Sequence, residues 1–195
     1  GSDAQGISSN TASGDASAEF NSSISMPGGS SAGFAAGDIA TGTLKASITT
    51  NPGVYYQGDD VPTVYGAQGG GLSQVLVSET FVASGSGNVR FDLAYDGFWN
   101  ISPQGYSTFG VSGLFDPNWS IGASLALGSG SLISGDSFST NHTIGQSVGS
   151  VFGVLSVFGS LVDGVEYGIS MALDTAISSG AVGGIDFANT AVLSY

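Results

Sequence analysis

Most apolar stretches of this chain alternate with a period of two, and that constrains its fold more than any other feature. In residues 165–173, Val165, Tyr167, Ile169, Met171 and Leu173 occupy every second position, with Glu166, Gly168, Ser170 and Ala172 between them. The pattern recurs in Val75, Val77 and Phe81, in Val89, Phe91, Leu93 and Tyr95, and in Ile121, Ala123, Leu125 and Leu127. Successive side chains of a strand point to opposite faces, so such a segment sets one face against a core and the other in water. No helical period of 3.6 residues competes with it.

The residues between these segments are turn formers, and glycine alone numbers 33 of 195. Residues 39–50 read as one strand, with Leu44, Ala46 and Ile48 on one face. Residues 72–83 read as a second. Asp96-Gly97 is a hairpin-type signal closing the strand that begins at Val89. Residues 128–143 read as a Ser/Gly loop. Residues 148–158 are apolar on both parities, the pattern of a strand covered on both faces. Asp163-Gly164 is a further turn, and residues 185–195 a final strand. About eight strands spaced by Gly, Ser and Asp turns predict an all-β fold, a two-sheet antiparallel sandwich of jelly-roll type. Residues 34–195 read as its single domain. Residues 1–33 read as an extended N-terminal arm, Ser/Gly-rich and sparse in apolar anchors. Within it, Phe20, Ile24 and Met26 share one parity, so the arm is a candidate strand for donation to a neighbouring subunit.

Charge and residue chemistry exclude several functions. Two basic residues stand against 15 acidic ones, a formal net charge of −13. Phosphate contacts to nucleic acid require several Lys or Arg, and only Lys45 and Arg90 exist. No apolar run is long enough to span a membrane as a helix. Cysteine is absent, which removes disulfides, thiolate metal sites and cysteine nucleophiles. An acidic, Lys-poor composition suits an extracellular or cell-surface protein kept soluble by self-repulsion.

Catalytic constellations are sparse, and the chain reads as non-enzymatic. His142 is the one histidine, too few for a histidine zinc site, and no nucleophile elbow accompanies it. The adjacent carboxylates Asp59 and Asp60, in a Tyr-rich loop, suit calcium, a hard cation with oxygen ligands; no other cofactor is expected. Tyr55, Tyr56, Trp99 and Trp119 fall in or beside expected loops and form the alternative functional set, a platform on which sugar rings stack. Asn21, Asn100, Asn118 and Asn141 stand in Asn-x-Ser/Thr sequons.

Three segments together resemble the secreted β-sandwich domains of bacterial PEP-CTERM proteins. They are Asp38-Ile39-Ala40-Thr41-Gly42-Thr43-Leu44-Lys45-Ala46, residues 73–81, and Ile185-Asp186-Phe187-Ala188-Asn189-Thr190-Ala191-Val192-Leu193. The family's Pro-Glu-Pro signal and sorting helix have no counterpart in the 195 residues. The resemblance implies export and association with exopolysaccharide or biofilm matrix, and it carries over no catalytic residue. Together with the arm it leads to the expected function, a structural subunit that assembles with copies of itself into a matrix or filament. The alternative is a secreted carbohydrate-binding module.

Overall fold

The computed structural model describes residues 17–26, 29–38, 40–51, 53–57, 63–68, 70–103, 105–108, 111–114, 118–142, 148–178 and 181–194. Side chains are described for 30–38, 40–51, 70–103, 118–142, 148–178 and 181–187. All regular structure among these residues is β.

Eight strands make the body of the fold. They are β3 (Thr43–Asn51), β6 (Gly71–Val82), β7 (Gly87–Pro103), β10 (Trp119–Gly128), β11 (Leu132–His142), β12 (Val148–Leu161), β13 (Glu166–Ile177) and β14 (Ala181–Ser194). They pair antiparallel as β3 with β14, β6 with β13, β7 with β12, and β10 with β11. Those pairs join as β3-β14-β7-β12 in one sheet and β6-β13-β10-β11 in the other. Two four-stranded sheets built from four such wound pairs are a jelly roll, as the alternation predicts. Short hairpins sit in two of the connections, β4 (Gly53–Gln57) with β5 (Thr63–Gln68) and β8 (Gly105–Thr108) with β9 (Val111–Leu114).

The N-terminal segment forms a further hairpin, β1 (Ser17–Met26) and β2 (Gly29–Asp38). β2 pairs with β3, so the larger sheet has six strands in the order β1-β2-β3-β14-β7-β12. The boundary expected at residue 33 therefore falls inside a strand. β2 lies over β6 of the second sheet, and the Ser73 hydroxyl of β6 donates to the Phe34 carbonyl of β2.

The alternating residues line the core as their period requires. Leu44, Leu93, Ile121, Leu125, Leu127, Val157, Leu173, Ile185 and Phe187 are almost wholly buried. Each such side chain contributes about 1.5–3 kcal/mol of transfer free energy. The buried hydroxyl of Thr50 donates to the Ala181 carbonyl at 2.7 Å, which satisfies a polar group between β3 and β14.

Three expectations are corrected. Asp96-Gly97 is not a turn, because β7 runs straight through it. Gly97 faces the core, where a Cβ would lie 2.6 Å from the Phe187 ring, so the glycine makes room for an aromatic side chain. Residues 128–143 are not a loop: 132–142 form β11, whose only large apolar inward side chain is Phe138. β12 is not covered on both faces. It is the edge strand of the larger sheet, and its outer face lies open.

Candidate functional site: the edges of the larger sheet

A β-sandwich has four edge strands, here β1, β12, β6 and β11. Soluble proteins protect such edges with charge, proline or brevity, because unpaired N–H and C=O groups recruit further strands. β6 carries Glu79, β11 carries Asp136 and β1 carries Glu19. β12 carries no charge in 14 residues, Val-Gly-Ser-Val-Phe-Gly-Val-Leu-Ser-Val-Phe-Gly-Ser-Leu. Its outward side chains include Phe152, 82 % exposed, and Val154, 55 % exposed, with Val148 and Phe158 in the same row.

The two halves of β12 differ. Along residues 156–158 the edge is filled from β11: the Ser156 N–H donates to the Asp136 carboxylate at 3.0 Å and the Phe158 N–H to Ser134 Oγ at 3.3 Å. Polar side chains also gather on the face there. Arg90 Nε donates to Asp92 at 2.7 Å, the Ser156 hydroxyl donates to the same carboxylate oxygen at 2.6 Å, and the guanidinium lies 5.5 Å from the Phe158 ring centre. The Ser156 hydrogen bond, followed by the one from Arg90, lowers the Asp92 pKa from the ordinary carboxylate value. The ladder to β7 is unbroken from Val148 to Leu161, so the N–H groups of Phe152 and Val154 point to the same side as that of Ser156. No described residue meets them there.

At the opposite end of the sheet stands β1. It packs against β2, whereas the edge strand of the second sheet, β6, packs under β2 and β3. The register sets Phe20 opposite Ala35, Ile24 opposite Ser31 and Met26 opposite Gly29. The three candidate assembly residues thus belong to the outermost strand of the larger sheet.

The sugar-platform residues are placed otherwise. Trp99 and Trp119 are 7 % and 4 % exposed, and their rings pack on each other with centres 4.6 Å apart. His142 stacks on Trp119 at 4.2 Å, and its Nε2 lies 2.8 Å from the Thr140 hydroxyl. These rings close one end of the core and cannot stack on a sugar. Among the described residues the buried Trp99 indole N–H has no hydrogen-bond partner. Tyr55 and Tyr56 lie on β4, with Tyr55 opposite Tyr65 of β5, and their side chains are outside the described residues. Asp59 and Asp60 lie outside them too, so the calcium expectation has no geometry here. Among the described residues no three His, Cys, Asp or Glu side chains gather as a metal site.

One shallow cleft of about 320 Å³ lies on the outer face, lined by Asp96, Gly97, Phe98, Ser150, Val151, Phe152 and Asp186. Its two carboxylates and two exposed phenyl rings offer hydrogen-bond acceptors and an apolar wall. They include no nucleophile–base pair of the kind acyl or glycosyl transfer employs. Sequence reading assigned Asp96 to a turn and did not reveal the cleft, because Asp186 and Phe152 reach it from two other strands.

No protein family, curated protein or solved structure matches the chain. No helix among the described residues is long and apolar enough to cross a membrane.

Proposed function

We propose that this chain is a non-enzymatic, secreted structural protein, the subunit of a matrix or filament that assembles from copies of itself through its N-terminal hairpin. The observation that carries the reading is the larger sheet. It ends on one side in β1, whose described ladder is to its hairpin partner β2, and on the other in β12, a charge-free edge with exposed apolar side chains. Adding a strand to such an edge satisfies backbone groups and covers apolar surface in one step. Scarce charge favours this packing, since few ionic groups need desolvating.

The net charge of −13 opposes association at low ionic strength, so salt or divalent cations promote it by screening. The PEP-CTERM resemblance supports an extracellular bacterial setting, with exopolysaccharide as a further partner. The carbohydrate-binding alternative rests on Tyr55 and Tyr56, since Trp99 and Trp119 are buried. Sedimentation velocity over a concentration series, with and without calcium, tests the main reading. It predicts species larger than a monomer that grow with concentration and salt; a monomer under every condition refutes it.

A further inference from the structure

Building on that proposed assembly, we propose that residues 148–154 of β12 are the acceptor edge, and that the occupant is β1 of a second copy of this chain.

The direction of the strands supports this pairing. Every neighbouring pair in the six-stranded sheet is antiparallel, from β1 through β2, β3, β14 and β7 to β12. With an even number of strands, β1 and β12 run in opposite directions. A second copy set beside the first in the same orientation therefore brings its β1 antiparallel to β12, with the core-facing side of both sheets on the same side. Such a head-to-tail contact does not close on itself and repeats into a filament. Six-stranded sheets then join into one continuous sheet.

The acceptor segment is defined by what is already occupied. At 156–158 the edge N–H groups are taken by Asp136 and Ser134, and Arg90 lies against the Phe158 ring. At 152 and 154 no described residue takes the N–H groups, and Phe152 is the most exposed large apolar side chain among the described residues. Charge at the junction permits a copy of this chain, because β12 has no ionic group and β1 has only Glu19, so the contact itself sets no like charges against each other. A β12-to-β12 pairing would also be antiparallel, but it is two-fold and stops at a dimer.

Two variants test the assignment. Phe152→Lys with Val154→Lys places charge on the edge without entering the core, and circular dichroism checks that the fold is kept. Both lysines also reduce the net negative charge, so lost assembly cannot come from added repulsion. The expected result is a sedimentation coefficient that stays at the monomer value where the wild type forms larger species. Because the chain has no cysteine, Ser23→Cys, opposite the exposed Ala32, and Phe152→Cys proteins can also be mixed and treated with a short bismaleimide. A covalent heterodimer between the two is expected as the main product. Wild-type assembly that survives the two lysines, or cross-linking confined to pairs of Phe152→Cys chains, overturns the β1–β12 junction and leaves the assembly reading standing. A wild type that remains monomeric overturns that reading itself.

Discussion

Gly153 lies directly opposite Tyr95 in the β12–β7 ladder, and a Cβ at that glycine would sit 2.5 Å from the Tyr95 hydroxyl oxygen. Gly149 stands in the same relation to Trp99, whose indole would overlap an added methyl. The inward row of β12 thus supplies gaps that the large rings of β7 fill. Gly153→Val is expected to cost about 1–3 kcal/mol by overpacking. In a chain of this size each kcal/mol lowers the melting temperature by about 2–4 °C. Thermal unfolding followed by circular dichroism measures it, and an unchanged melting temperature would show that Tyr95 is free to move aside.

The Trp99–Trp119 pair makes a second prediction. Rings 4.6 Å apart couple excitonically, so the native protein is expected to show a split aromatic circular-dichroism band, lost in either single Trp→Phe variant. Truncating Trp119 to Ala is expected to cost about 3–5 kcal/mol, the range for a buried large aromatic. A Trp119→Ala protein of wild-type stability would argue that this ring is exposed and available to a ligand.

Asp174 sits on the outer face of the second sheet with its carboxylate over Gly122, and desolvation there raises its pKa above the ordinary value of 3.8. A raised folded-state pKa means that its contribution to stability is fully present below the unfolded value and is lost as pH rises through the folded one. Asp174→Asn is therefore expected to stabilise the protein at neutral pH and to make no difference in strong acid. With the carboxylate about half buried, solvent screening keeps the gain below about 1 kcal/mol. Melting temperatures across an acid-to-neutral series check the sign, and destabilisation at neutral pH would contradict it.

The side-chain plug on β12 gives a prediction about assembly. Asp136→Ala removes the carboxylate that accepts the Ser156 N–H and lengthens the open edge. It is expected to shift the sedimentation distribution toward larger species, more than Asp163→Ala, an equal charge change at an exposed turn. Equal shifts in the two variants would assign the effect to charge alone.

Much of this architecture is legible in the sequence because burial repeats with the pleat. Leu44, Ala46 and Ile48, or Tyr167 through Leu173, announce their own inward faces, and a chain of such strands separated by turns has few ways to close other than a sandwich. Three features are not local and stay hidden. β11 is mostly Ser, Gly and polar residues, so its pairing with β10 leaves almost no apolar signature. Asp96-Gly97 has turn chemistry, yet the glycine answers to Phe187, 90 residues further along. β12 is apolar on both parities, and only the strand order shows that one parity holds glycines and core residues while the other faces outward. On the candidate site, alternation picked out Phe20, Ile24 and Met26 of β1. Its proposed acceptor stayed hidden, because whether a strand lies at an edge is a property of topology.

Negative-stain electron microscopy of the wild-type protein at high concentration, with and without calcium, tests the central claim most directly. The account predicts unbranched filaments one molecule wide. A field of separate globular particles under both conditions would contradict it.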